Sequence, residues 1–580
     1  MKLLNKIDKK SLTSWLTLWL TIFMLAAVPI LTNWMANNYQ VTLVDLVLPI
    51  TSTFLTSLIL SIIFRKDFRQ NKLSCLIGAL SADLLLCFNF DAKFGQINFI
   101  FNALNPIPEL SDSQKSVLFS FAFIVIIVLV AKWVTRLIRK FLENKNWQTD
   151  VFANGILIVI GITFLLQFYP TVKTIVIEWP QFFYRPPTIT ADLKVDLANK
   201  PDIYYIVLDR YASQSVLTNQ FNFNNNDFVN YLNNNGFSVN PDAHNNYPYT
   251  TQSISSTLNA GYNTDMIGKF SKASDQILEP YDDSIRYSSV IEKLKSLGYS
   301  YSEIGNWYET SNQAPLADDY YQPEGQLTIF NKQITLNNFS KNYLGGSVWW
   351  QFVRAGLRIG NFSVAIYSGL SGPEETYYQL NQLKNIAANS SGGKFVFAHI
   401  LVPHDPFYFN ADGSLSDNPS SDNQGETIKQ KYIGQVQYIN GRMTSLIDEI
   451  KKNSGGKAVI VLQSDEGPYP IQMNDQTFDT SASDSELASG DMTKWSDNNL
   501  LMKYGNLAAY DIPAASKTDL ANGTDPVNVF RLIFNTYFDG KMSYLPLCYY
   551  AYPNGRAETF VYDDITARLT GKRNPACPTE

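Results

Sequence analysis

Long apolar stretches separated by short charged ones fill the first 175 residues, after which the pattern changes. Stretches near 12–34, 41–64, 73–90, 115–133 and 151–169 are each apolar over enough length to cross a bilayer, which takes about 20 residues of α-helix. From residue 197 onward the apolar runs are short and bounded by polar or turn-forming residues. PDIYYIVLD (201–209), YSYSEI (299–304), KFVFAHILV (394–402) and KAVIVLQ (457–463) read as strands. Helical spacing lies between them, in DDSIRYSSVIEKLKSLGY with Gly298 as a stop and in QKYIGQVQYINGRMTSLIDEIKKNSGG with paired terminal glycines. Strands that are apolar throughout and alternate with helices predict an α/β domain with a mostly parallel central sheet and helices on both faces. The expected organisation is a five-span α-helical transmembrane bundle (1–175), a juxtamembrane linker (176–196) and one large α/β domain (197–580). In the linker, Trp179, Phe182, Phe183 and Tyr184 suit a membrane interface, and Pro186 and Pro187 suit a stiff tether. The polar stretches 410–427 and 470–500 read as insertions, the second placed to act as a lid.

Charge fixes an orientation. Lys2, Lys6, Lys9 and Lys10 precede the first span; Arg65, Lys66, Arg69 and Lys72 separate the second from the third; Lys132, Arg136, Arg139, Lys140 and Lys145 separate the fourth from the fifth. Basic residues in alternate loops place the N-terminus in the cytoplasm and the C-terminal domain outside the cell membrane, in a multi-pass protein. Asp83 falls inside the third span, where an ionisable group lines a polar path or is hydrogen-bonded in the packing. A net charge of −6 with 17% charged residues offers no basic face for nucleic acid. Cys75 and Cys87 lie about 18 Å apart on one helix, too far to bridge, whereas Cys548 and Cys577 can pair in an oxidising compartment.

Candidate chemistry gathers at strand ends. Asp209 closes the first strand, and Asp465 and Glu466 close the run VIVLQSDEGP, the edge at which open α/β sheets bind ligands. Three carboxylates would hold one divalent cation, Mn²⁺ first, with Mg²⁺ or Ca²⁺ as alternatives, since zinc more often recruits His or Cys. Two of the three histidines lie in FVFAHILVPHDPF: His399 reads as a core residue or a site residue, and His404, in the irregular segment after Pro403, as a presented one. NNYPYTTQSISSTLNAGY (245–262) places several hydroxyls at a helix start, beside free backbone N–H groups that suit an anion.

In this order Asp209, the hydroxyl-rich segment, HILVPHDPF and QSDEGP resemble the motifs of membrane-anchored sulfatase-like proteins of the alkaline phosphatase-like superfamily, similar to lipoteichoic acid synthase. The resemblance spans the outer domain, including DPVNVFRLIFNTYF, and the five-span architecture. It implies a metal held by Asp209, Thr250, Asp465 and Glu466, Thr250 as nucleophile with Ser253 as the alternative, and His404 near the metal or substrate. Ser253 and Arg531 are further candidates for binding substrate, and Arg210 or Arg531 for compensating charge. The implied activity is metal-dependent phosphoryl transfer or hydrolysis on lipid-linked or polymer phosphodiesters, with a membrane lipid and a cell-envelope glycopolymer as partners. Alternatives are a sulfate-ester hydrolase, against which none of the cysteines sits in a Cys/Ser-x-Pro-x-Arg run, and an inactive member that binds a surface polymer or partner. Glu466 stands where the family usually has His, and its extra negative charge needs a compensating cation.

Overall fold

The structure, a computed structural model, describes residues 9–37, 43–63, 112–194, 200–271, most of 277–322, 372–470 apart from 390–391 and 420–426, 491–523, 525–553 and 560–578, with shorter pieces between 73 and 85 and between 326 and 370. The chain divides into two compact units, Met1–Phe182 with Gly325–Gly369, and Phe183–Glu324 with Leu370–Glu580.

The first unit contains helices α1 (Lys9–Ala36), α2 (Val47–Ile63), α3 (Asp112–Asn144) and α4 (Thr149–Ile177). Among the described residues three stretches are long and apolar enough to span a bilayer: Trp19–Ala36, Ser120–Asn144 and Val151–Ile177. Two of the five expected spans are not matched in this way. The apolar stretch of α2, Val47–Thr56, falls short of the length needed, and most of 73–90, including Asp83, lies outside the described residues. Segment 325–369 contributes an antiparallel sheet in the order β6-β5-β8-β7, formed by β5 (Gln326–Ile329), β6 (Lys332–Thr335), β7 (Leu357–Ile359) and β8 (Phe362–Tyr367).

The second unit is built on a mixed sheet, in the order β2-β11-β10-β1-β9-β3-β4. Its strands are β1 (Ile203–Leu208), β2 (Ser238–Val239), β3 (Ser300–Ile304), β4 (Asp319–Tyr321), β9 (Lys394–Ile400), β10 (Val459–Gln463) and β11 (Ala508–Asp511). The pairs β10–β1, β1–β9, β9–β3 and β3–β4 are parallel, and β11 runs antiparallel to both β10 and β2. Its helices include α5 (Gln214–Phe221), α6 (Asn226–Asn234), α7 (Thr250–Leu258), α8 (Thr264–Phe270), α9 (Glu279–Arg286), α10 (Ser289–Ser296), α11 (Pro373–Ala388), α12 (Ile428–Ser454), α13 (Asp497–Tyr504), α14 (Val529–Phe538) and α15 (Thr566–Thr570).

The period of two along a strand explains why β1 is apolar at every position. Tyr204, Ile206 and Leu208 enter one core with Val396, Ala398, Leu462 and residues of α5, α6, α11 and α12. Ile203, Tyr205 and Val207 enter the other, with Phe397, Val461 and residues of α7, α10 and α14. The α12 helix starts with a capping box, Thr427 with Gln430, and ends at Gly455 in the left-handed conformation. The expected single helix over 282–299 is two, because the Ser288 side chain accepts a hydrogen bond from the Ile291 backbone N–H and starts a new helix. Cys548 and Cys577 form a disulfide within a tyrosine-rich third cluster.

The segment after α4 is tied down rather than loose. Tyr184 is buried against Phe270 and bonds Asp265, and Arg185 pairs with Asp283 at 2.8 Å while lying over the Tyr287 ring.

Candidate metal centre and nucleophile

The three central strands deliver the site from one face. Continuing the alternation of Tyr205–Val207, Phe397 and Val461–Gln463 places Asp209, His399 and Asp465 on the side covered by α7, and β1 stands between the other two strands. Asp209, His399 and Asp465 each offer a ligand atom, all within 4.8 Å of one another, and all three are buried. His399 Nε2 is 3.4 Å from Asp209 Oδ2 and 3.9 Å from Asp465 Oδ2. The backbone around His399 is held by Asn306 and Gln379, whose side-chain amides donate to its carbonyl at 2.8 Å.

Two features show that these residues fit a cation. Asp209 Oδ1 and Asp465 Oδ2 are buried without a hydrogen-bond partner, a costly state for carboxylate oxygens unless an ion satisfies them. The carboxyls also cannot comfortably ionise together. Burial and the adjacent Asp209 push Asp465 up to about 7; burial also opposes ionisation of Asp209, but His404, the His399 hydrogen bond and Arg210 hold it well below the usual carboxylate range. A dication would remove that conflict, and an imidazole with two carboxylates is a donor set for Mn²⁺ or Zn²⁺ more than for Mg²⁺ or Ca²⁺.

Thr250 is the first residue of α7, with Tyr249 as its N-cap and no side chain capping the helix, and its hydroxyl lies near enough to Asp465 to favour that carboxyl's ionised form. It therefore stands at the positive end of a buried helix, beside the carboxylate group. Ser253 is one turn further on, its Oγ buried and without a hydrogen-bond partner. His404 lies after β9 with Nδ1 held by Asp405, 3.2 Å from Oδ1, and is partly exposed.

Two of the expected site residues are placed elsewhere. The Glu466 carboxylate does not join Asp209 and Asp465, because one oxygen pairs with Arg210 Nε at 2.9 Å and the other with Lys503 Nζ at 2.7 Å. Gly467 makes this possible. Its amide donates to the Lys503 carbonyl at 2.8 Å, and a Cβ there would lie 2.2 Å from the Met502 carbonyl oxygen, so only glycine lets the loop approach the end of α13. Arg531 lies toward the other end of α7, where Nε and Nη1 donate to the carbonyls of Ala260 and Ser543 at 2.8 Å. It lines a separate cavity of about 500 Å³ with Tyr184, Tyr262 and Met542. The nine-residue α7, about 12 Å from its first residue to its last, runs between Thr250 and the turn at Ala260 that Arg531 holds.

Sequence reasoning left His399 open between core and site, and it did not raise Lys503. The alternation along β9 was the available signal for His399; nothing local marks Lys503, which reaches Glu466 only through the turn at Gly467.

The fold and centre define an α/β domain of the type that works beyond the carboxyl ends of its strands, here with buried metal-ligand side chains beside a helix-start hydroxyl. The family model described as Sulfatase matches residues 201–501, just over half of the chain. The chain belongs to the sulfatase family, within the alkaline phosphatase-like superfamily. No curated protein matches it. Solved structures similar to it include the C-terminal periplasmic domain of EcEptC from Escherichia coli in complex with Zn, at 12% identity and TM-score 0.40 over 66% of this chain and 96% of that one. Ps i-CgsB in complex with k-i-k-neocarrahexaose is similar at 15% identity and TM-score 0.36, over 59% and 73%. A 2-O GAG sulfatase is similar at 11% identity and TM-score 0.34, over 61% and 81%.

Proposed function

We propose that this protein transfers or hydrolyses phosphoryl groups at Thr250, acting on lipid-linked or polymer phosphodiesters outside the cell membrane. The observation that carries this reading is the coincidence of Asp209, His399 and Asp465 with the Thr250 hydroxyl at the start of α7. Asp209, His399, Asp465 and Thr250 would hold one divalent cation, Mn²⁺ or Zn²⁺ by donor type. When bound, the cation lowers the pKa of the hydroxyl and offsets charge on the phosphoryl oxygens.

The chain's own residues supply the rest. Thr250 Oγ1 gives up its proton to solvent and attacks phosphorus, a new P–O bond forms, and the P–O bond to the departing alcohol breaks opposite it. The departing oxygen takes up a proton, for which His404 is the exposed donor, its Nδ1 fixed by Asp405. An acceptor alcohol or water then attacks the phospho-threonine, its proton returning to His404, and the P–O bond to Thr250 breaks as Oγ1 regains a proton from solvent. Apolar helices of membrane-spanning length keep the chain at the bilayer, where a phospholipid donor and a cell-envelope glycopolymer acceptor meet. The Cys548–Cys577 disulfide suits the oxidising side of that membrane.

Family membership favours one second reading, sulfate-ester hydrolysis, in which sulfur takes the place of phosphorus at the same centre. Turnover of a chromogenic phosphodiester and a chromogenic sulfate ester by the full-length protein separates the two. Thr250→Ala is expected to abolish turnover of the preferred ester with little change in thermal stability. Full activity in that variant refutes the assignment; loss of turnover with intact metal content, against an active wild type, is what a binding-only family member would not show.

A further inference from the structure

Arg210 follows the metal-ligand candidate Asp209 and adopts φ = +60°, the left-handed region that side chains other than glycine rarely occupy. Its backbone is pinned on both sides: the amide donates to Asp465 Oδ1 at 3.3 Å, and the carbonyl accepts from the Tyr432 hydroxyl at 2.8 Å. The turn carries the side chain to Glu466, at 2.9 Å through Nε, and to Asp405, at 3.1 Å through Nη1. Asp405 in turn holds His404. On the far side of Glu466, Lys503 is fully buried between the rings of Tyr469, 4.9 Å away, and Tyr249, 5.5 Å away. His404, Asp405, Arg210, Glu466 and Lys503 thus form a chain along which basic and acidic groups alternate, bordering Asp209, Asp465 and Thr250.

Exposure grades along this chain. Lys503 and Glu466 are 1% and 3% exposed, whereas Arg210 is 15%, Asp405 19% and His404 27%. Burial of the Glu466–Lys503 pair makes it a fixed foundation, and the more exposed Arg210 guanidinium is held between the Glu466 and Asp405 carboxylates. A guanidinium carries five N–H donors in a rigid fork that matches two oxygens of a tetrahedral anion, a geometry an ammonium does not offer.

We propose that Arg210 binds the tetrahedral anionic group of the substrate and that Glu466 is a positioning residue, not a metal ligand, which aims the Arg210 fork from its buried pair with Lys503. The residue that, from sequence, overloads the site with negative charge instead has that charge offset on both sides, by Arg210 and Lys503. This assignment rests on the transfer reading above, and it names the groups that bind the anion in the same site.

The test is calorimetric titration of the full-length metal-loaded protein with inorganic phosphate and, separately, with sulfate, alongside elemental analysis of each variant. Arg210→Ala is expected to weaken binding of whichever anion the wild type takes by about tenfold or more, with metal content unchanged. Arg210→Lys recovers part of that loss, because it restores charge without the fork. Glu466→Gln weakens the same binding by a smaller factor, keeps its metal, and changes turnover chiefly through KM. Where Arg210→Ala does not fold, Arg210→Gln gives the same reading. Unchanged anion affinity in a folded Arg210 variant, a wild type that binds neither anion, or loss of metal from Glu466→Gln overturns the proposal. The titration needs no turnover, so a failure of Thr250 as nucleophile and a failure of Arg210 as anion binder are read separately.

Discussion

Replacing Lys503 with methionine tests how the charge of Glu466 is accommodated. The two groups are 2.7 Å apart and almost wholly excluded from water. Burial pulls the lysine below its ordinary pKa range, and the attraction of Glu466 works against that pull. Lys503→Met keeps most of the volume and removes the cation. Removing one partner of a buried pair typically costs about 3–5 kcal/mol, because the other is left as an uncompensated charge. Arg210 still contacts Glu466 at 2.9 Å, so the expected loss lies at the lower end, about 3 kcal/mol. The double variant Lys503→Met with Glu466→Gln removes both charges and is expected to be more stable than Lys503→Met alone, the non-additivity that marks a coupled pair. Unfolding of the full-length protein in detergent, followed by fluorescence with temperature, measures all three variants against wild type. A Lys503→Met variant as stable as wild type, or a double variant less stable than it, refutes the reasoning.

Glu303 on β3 predicts a pH dependence away from the centre. Burial pushes its carboxyl up to about 8, against the hydrogen bond from Tyr301 and the charge of Arg286. Folding therefore keeps a proton that the unfolded chain releases above its ordinary value of 4.5. Stability from this group is full below that value and is lost as pH rises through 8, by at most about 5 kcal/mol, so Glu303→Gln is expected to be the more stable protein at pH 8 and to flatten the profile. Parallel stability profiles of the two proteins between pH 5 and 9 count against a neutral Glu303. The Cys548–Cys577 bridge closes a sequence separation of 29 residues, so Cys577→Ser is expected to lower stability under oxidising conditions by about 3–4 kcal/mol. Equal melting of this variant and wild type contradicts that loss.

Much of the second unit was legible because burial on both faces writes itself as continuous apolar sequence. The strands β1, β9 and β10 lie within the runs that end at Asp209, Val402 and Gln463, and α12 lies between a capping box and a glycine. The short strands β2, β4 and β11 were not legible. SV, DYY and AAYD are too brief and too mixed to carry a period, and they pair only because neighbouring strands present open edges. The antiparallel direction of β11 has no local signal either. At the centre, Asp209, Asp465 and Thr250 stood out because polar residues interrupt apolar runs or begin a helix. His399 was ambiguous for the opposite reason, an imidazole among apolar neighbours being equally the sign of a satisfied core residue. Glu466 shows the limit: its type and position suggested a ligand, and only the approach of α13 through Gly467 reveals that Lys503 and Arg210 occupy its oxygens.

Asp209, His399 and Asp465 are expected to hold a divalent cation at Thr250. Elemental analysis of the full-length protein, purified in detergent and dialysed against trace Mn²⁺ and Zn²⁺, tests it most directly. One bound cation per chain is expected in the wild type and in Glu466→Gln, with almost none in His399→Leu or in Asp209→Asn. A wild type without metal, or a His399→Leu variant that retains a full equivalent, would contradict it.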